Sequence, residues 1–182
     1  MDQFLVERAR KGDREAFTTL AFDLSDRLFA VAHRILRDFD AAGDALQVTL
    51  LRVWQDLPSL RDAALIEGWA YRILVRACHD QLRRQRRRAP VLDLLPSPGM
   101  EKALDDLIAD RDQLDRAFRR LTADQRAAIV LQYYRGLTLP EIAEVLDVPV
   151  GTVRSRLHYA KRTMRAAIEA DERPIARKGG QA

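Results

Sequence analysis

The sequence predicts an all-α protein made of two small helical domains, and three observations carry that prediction. Apolar residues recur at three- and four-residue steps along almost the whole chain, and no alternating strand pattern of useful length occurs. Asp13, Thr122 and Thr138 stand ahead of such runs, while Gly12 and Gly136 stand behind others, which are start and stop signals of helices. Residues 89–100, APVLDLLPSPGM, hold three prolines and a glycine and interrupt the helical pattern, marking a domain boundary.

Residues 2–11 read as a first short helix closed by Gly12. Asp13 caps the next, which runs to about Arg37 with Phe17, Leu20, Leu24, Leu28, Phe29, Ala32, Ile35 and Leu36 as its apolar stripe. His33 beside that stripe has no second ligand one turn away, so a packed or half-exposed role fits it better than a metal. A third helix covers roughly 40–57, with Leu46, Leu50, Val53, Trp54 and Leu57 inward. Asp44, Gln47, Leu51 and Gln55 follow one another along an adjacent stripe that mixes polar and apolar residues, as a surface offered to another protein does. A solvated flank with one stray leucine fits the same spacing.

After Pro58 and a loop, a fourth helix spans about 66–88, with Trp69, Ile73, Ala77 and Cys78 inward and Tyr71, Arg72, Arg76, His79, Arg83 and Arg84 outward. Aromatics interleaved with arginines suit single-stranded nucleic acid, since bases stack on rings and guanidinium planes while charge follows the backbone. The terminal RRQRRR also reads simply as a solvated cation cluster at a helix end. Its arginines repel one another without an anion, which favours the nucleic-acid reading.

Residues 101–120 predict a further helix, acidic in its first part. Thr122 and Gln125 have capping-box spacing and open a helix with Ala128, Ile129, Leu131, Tyr133 and Tyr134 that closes at Gly136. Thr138 and Glu141 repeat the box, followed by Leu139, Ile142, Ala143, Val145 and Leu146 on one face. Asp147-Val148-Pro149 breaks the run, and proline is comfortable in the first turn of a following helix. From Val150 that helix carries Val153, Leu157, Ala160 and Met164 inward and Arg154, Ser155, His158, Tyr159, Lys161 and Arg162 outward. A short helix, a tight turn and a second helix with a basic outer face form a helix-turn-helix, the shape that enters a major groove. With the two helices before it, this makes a small four-helix domain; the last dozen residues read as a frayed tail.

Composition narrows the classes. An apolar content of 47% supplies a core for one domain or two small ones in 182 residues, and 32% charged residues argues for a soluble protein. The net charge is only +4, but the arginine clusters and a pI near 9.6 suit a polyanionic partner. Cys78 alone excludes an intrachain disulfide framework and a cysteine-rich zinc site, and its helical position suggests buried filler. No signal-peptide core and no membrane-spanning stretch occur, so a cytoplasmic location is the default. No cofactor is expected: there is no phosphate-binding glycine loop, and the acids lack metal-ligand spacing.

The segment LTADQRAAIVLQYYRGLTLPEIAEVLDVPVGTVRSRLHYAKRTMR resembles region 4 of the extracytoplasmic-function (ECF, group IV) sigma factors of bacterial RNA polymerase. DALQVTLLRVW resembles their region 2, and GWAYRILVRACHDQLRRQRRR resembles the helix that recognises and melts the downstream promoter element. The likeness covers nearly the whole chain and implies a region 2 domain over 1–88, a flexible linker over 89–105, a region 4 domain over 106–170 and a tail over 171–182. It implies that Asp44, Gln47, Leu51 and Trp54 face core RNA polymerase. It further implies that Arg61, Asp62, Trp69, Tyr71, Arg72, Arg76, Arg83 and Arg84 serve a melted −10 element, with the loop Leu60–Gly68 holding a flipped base. Thr152, Arg154, Ser155, Arg156, His158, Tyr159, Lys161 and Arg162 would serve a duplex −35 element, Thr152 meeting a phosphate at the helix N-terminus. Members of the group are commonly held inactive by an anti-sigma factor, so the resemblance implies such a partner. The chain departs from the family's usual wording at Gly43, Val48, Leu50, Arg76 and Tyr159, so the promoter sequence is not implied. The rival readings are a stand-alone helix-turn-helix regulator and, far behind it, an enzyme using His33, His79 or His158 as a base.

Overall fold

The computed structural model describes residues 2–88 and 107–172, and every regular element among them is helical. α1 (Gln3–Arg10) begins where the Asp2 carboxylate accepts from Phe4 N–H, and it ends just before Gly12, whose φ of +91° only glycine adopts freely. α2 (Arg14–Leu36) is capped by Asp13, which accepts from Ala16 N–H at 3.0 Å. That bond, with the Arg8 guanidinium beside it, holds the Asp13 carboxyl below its ordinary range. α3 (Phe39–Asp56) starts on Asp38, and two 3-10 turns, Leu57–Ser59 and Ala63–Leu65, lead into α4 (Ile66–Arg88).

α2, α3 and α4 pack on one another, with α1 laid across α2. The stripe predicted for α2 forms its core: Leu20, Leu24, Leu28 and Ile35 are buried. The inner stripe predicted for α3 is corrected. Its buried seam is Ala41, Ala42, Ala45, Thr49 and Val53, whereas Leu46, Leu50 and Trp54 are half-buried on its flanks. Small residues let three helices approach closely, and the buried Thr49 hydroxyl is satisfied by donating to Ala45 C=O at 2.7 Å.

The second half contains α5 (Leu107–Arg119), α6 (Ala123–Ile129) continued by a π-helical turn Val130–Tyr134, α7 (Leu139–Leu146) and α8 (Val150–Glu172). The Thr122 box forms reciprocally: Gln125 N–H donates to the Thr122 hydroxyl at 3.3 Å, and Thr122 N–H to the Gln125 side chain at 3.0 Å. At Thr138 the Glu141 carboxylate accepts from both the N–H and the hydroxyl, each at 2.7 Å, which lowers the Glu141 pKa. Gly136 (φ +70°) turns the chain into α7, and Asp147 ends α7 in the left-handed region. α5 and α6 both pack on α8, as the four-helix reading requires. The linker predicted for 89–105 lies outside the described residues, as do the start of the helix predicted for 101–120 and nearly all of the predicted tail.

Candidate nucleic-acid and polymerase surfaces

α8 buries Val153, Leu157 and Ala160 on one side and exposes Arg154, Ser155, His158, Tyr159, Lys161 and Arg162 on the other. Arg154 and Arg162 carry no ion pair among the described residues. The His158 and Tyr159 rings meet edge-on at 5.6 Å, and Lys161 Nζ lies 5.3 Å from the Tyr133 ring, so the face is aromatic as well as cationic. Ser155 donates to Thr152 C=O at 2.9 Å. Thr152 N–H donates to Pro149 C=O at 2.9 Å. Arg156 departs from its predicted setting: half-buried, it donates to Asp124 at 3.1 Å and faces α6.

α4 is arranged differently. Ala70, Tyr71, Leu74, Val75, Ala77 and Cys78 are all buried, because α2 and α3 cover one side of the helix and α7 another. Tyr71, predicted to lie outward, is 2% exposed; Arg135 stands 5.2 Å from its ring, and burial pushes its phenol up to about 12. The Cys78 thiol is likewise pushed up to about 12 by burial, so it is inert filler. Trp69 and Arg72 are half-buried, and Arg72 Nε is buried without an acceptor among the described residues. Arg76 is exposed and donates to Asp147 at 3.0 Å; Arg83 pairs with Asp80, and Arg84 is exposed. His79 Nε2 lies 3.2 Å from Asp124 but off the hydrogen-bond direction. Burial lowers its pKa, and Asp124 only partly offsets that. In the loop, Arg61 is exposed, and Asp62 caps the turn Ala63–Leu65 by accepting from Ala64 N–H at 2.9 Å. Ile66, Glu67 and Gly68 belong to α4 rather than to the predicted loop.

On α3, Asp44, Gln47 and Leu51 are exposed at successive turns, with Leu51 57% open. Trp54 beside them is half-buried and packs on Phe17 at 4.6 Å between ring centroids. Phe17, Leu50, Leu51 and Trp54, with Arg14, Thr18 and Ala21, line a shallow groove of about 440 Å³. This apolar groove, which Leu51 and Trp54 line, suits an amphipathic helix from another protein.

Residues 23–88 match the model of sigma-70 region 2, and residues 111–164 match that of sigma-70 region 4. The ECF RNA polymerase sigma-E factor of Escherichia coli (strain K12) is 32% identical over 190 residues, covering 97% of this chain and 97% of that one. The chain is an ECF sigma factor of the sigma-70 family. The RNA polymerase sigma-H factor of Pseudomonas aeruginosa is 29% identical over 181 residues, covering 92% and 94% of the two chains. Among solved structures, CnrH in complex with the cytosolic domain of CnrY superposes with a TM-score of 0.67 at 24% identity, covering 93% of this chain and 98% of that one. The sigma factor RpoE of Bartonella quintana, solved with the anti-sigma factor NepR, gives 0.66 at 24% identity over 85% of this chain and 98% of that one. An ECF sigma factor is a DNA-binding transcription initiation factor rather than an enzyme. No helix among the described residues is long and apolar enough to cross a membrane, and no group of three or more His, Cys, Asp or Glu there could hold a metal ion.

The sequence reading missed Arg34, Arg37, Asp115, Arg126, Arg135 and Asp147. All of them bridge the two halves, and no local spacing signals pairs so far apart in the chain.

Proposed function

We propose that this sigma factor binds core RNA polymerase through Asp44, Gln47, Leu51 and Trp54 and directs initiation at promoters with a duplex −35 and a melted −10 element. The exposure of Asp44, Gln47 and Leu51 along α3, with Leu51 lining an apolar groove between α2 and α3, carries the reading. These groups are unburied by their own fold and present a mixed face of the kind proteins dock on. The domain over 106–170 grips upstream duplex with Thr152, Arg154, Ser155, His158, Tyr159, Lys161 and Arg162, while Arg156 supports α8 from behind. The domain over 1–88 captures the unpaired strand with Trp69, Arg72, Arg76, Arg83 and Arg84 on α4 and with Arg61 and Asp62 on the loop. Tyr71 contributes there only if α4 is uncovered. Extruding a base costs a few kcal/mol, which stacking and the strand's phosphates must offset. The protein acts in the cytoplasm, with an anti-sigma factor as a regulating partner; the neighbouring fold solved with the anti-sigma factor NepR supports that partner class.

Run-off transcription with purified core polymerase on a genomic library, including the promoter upstream of its own gene, tests this. Discrete start sites that depend on the added chain are expected. Tight binding of the chain alone to a symmetric duplex, indifferent to polymerase, would overturn it. Replacing Asp44 and Gln47 together by Ala should abolish co-purification with core polymerase and leave the far-ultraviolet circular dichroism unchanged.

A further inference from the structure

We propose that Tyr133 is a positioning residue for duplex recognition: its ring, turned outward by the π-helical turn before α7, holds the Lys161 ammonium at the edge of the α8 surface, where that ammonium meets a backbone phosphate. The inference rests on the assignment of α8 to duplex DNA made above and adds to it a residue from outside that helix.

The π turn sets the ring. Arg135 N–H donates to Val130 C=O at 3.1 Å, a wider closure than an α-helix makes, and Leu137 N–H donates to Leu131 C=O at 3.1 Å. On a regular α-helix Tyr134 would fall on the repeat of Ala127 and Leu131, both of which are fully buried. The wider turn takes the side chains off that register. Tyr134 is 44% exposed with Arg34 over its ring, and Tyr133 is 61% exposed. Burial in the core therefore does not account for Tyr133. Wide turns of this kind inside helices recur at functional sites, where they re-aim side chains.

What Tyr133 meets is α8. Lys161 Nζ lies 5.3 Å from its ring centroid, within the reach of a cation–π contact. Lys161 has no ion pair among the described residues, so no acid competes with the ring for it there. Arg154, His158 and Lys161 follow one another at four- and three-residue steps, share one flank of α8 and are all exposed. Tyr133 borders that flank from another element. The opposite flank is closed, because Arg156 is half-buried against Asp124 of α6.

A lysine is a mobile cation on a flexible stem, and ordering it at the moment of binding costs entropy. A ring on one side of the ammonium restrains the stem beforehand, while donors on the other side remain for phosphate oxygens. Phosphate contacts fix the register in which neighbouring side chains read base edges. Tyr133 thus acts on the duplex through Lys161 and makes no base contact of its own.

A double-mutant cycle tests this, using the full chain on core polymerase and a duplex carrying the strongest start site found by run-off transcription. Equilibrium binding is measured over a range of salt. K161A should reduce the slope of log affinity against log salt by about 0.9, the mark of one lost phosphate contact. Y133L keeps apolar bulk without a ring; it should weaken binding roughly two- to fivefold in the native background and have no effect in K161A. Y133F restores the ring and should recover native affinity. An equal loss from Y133L in both backgrounds means that Tyr133 acts independently of Lys161, and it overturns the positioning role. So does no loss in the native background, or a loss in Y133F as large as in Y133L. An unchanged slope in K161A overturns the proposal too and removes Lys161 from the duplex surface. If the native chain opens no start site with polymerase, the assignment of function falls. The same cycle on the full chain alone, with a random-sequence duplex at low salt, then decides the coupling, and additive losses overturn it.

Discussion

α4 and α8 invite comparison, because both are 23-residue helices rich in arginine and both are assigned to DNA by their composition. Their settings differ. α8 lies at the edge of its half with one face packed and the other in solvent, so its basic groups are available as they stand. α4 lies between α2 and α3 on one side and α7 on the other, and Arg76 and His79 meet acids contributed by the second half. Arg76 and His79 of α4 thus meet acids from the other half, whereas Arg154 and Arg162 of α8 carry no ion pair among the described residues. Burial and long-range pairing, rather than arginine content, decide which helix can accept nucleic acid without rearrangement.

The inner faces should behave alike, and testing that gives the largest effect. Leu74 on α4 is fully buried and Leu157 on α8 nearly so. Leu74→Ala and Leu157→Ala should each cost about 2–5 kcal/mol in urea unfolding, since each leaves a cavity lined by neighbours that relax only in part. A loss below that range at one site alone would show that the two helices are not equally embedded.

The outer faces should behave differently. Arg154→Ala should weaken duplex binding by roughly 1–3 kcal/mol and relax specificity at one base pair if the guanidinium reads a base edge. An equal loss on all sequences would make it a phosphate contact instead. Arg76→Ala should leave duplex binding unchanged; a comparable loss there would erase the distinction between α4 and α8. A smaller effect belongs to the scaffold behind α8. Thr122→Ala removes one side of a reciprocal cap and should cost about 1 kcal/mol, read as a shift in urea midpoint with no change in slope.

Most of the fold was legible, because caps and periodicity are local. Asp13, Thr122, Gly12 and Gly136 mark ends that the structure places within a residue or two of expectation. The seam of α3 does not follow its large aliphatics, because close packing selects Ala42, Ala45 and Thr49. Tyr71 was misassigned for a related reason: two helical faces of α4 are buried, and a single-stripe pattern allows for one. Arg156 was counted with its neighbours on α8, but its position on the turn carries it back to Asp124. The α8 surface could be read from spacing alone, since a face with no partner keeps the pattern of its own helix. The surface on α4 could not, since its partners lie far along the chain.

That dependence on distant partners also predicts how the molecule responds to pH. Around His79 stand Asp124 and Arg156 from the second half and Asp80 and Arg83 from α4, and burial outweighs Asp124 in setting its pKa below the ordinary 6.5. A group whose folded pKa is depressed contributes stability above its unfolded pKa and loses it as pH falls through the folded one. Stability should therefore decline as pH drops below about 6.5, before carboxylates such as Asp115 are reached. The hydrogen bond from Arg37 holds Asp115 below its ordinary 3.8, so its contribution fades only in stronger acid. Urea midpoints at about pH 7.5 and 5.5 should differ in the native chain and converge in His79→Gln, which cannot take up the proton. An equal pH slope in both would mean that the histidine is solvated and that the two halves do not close over it.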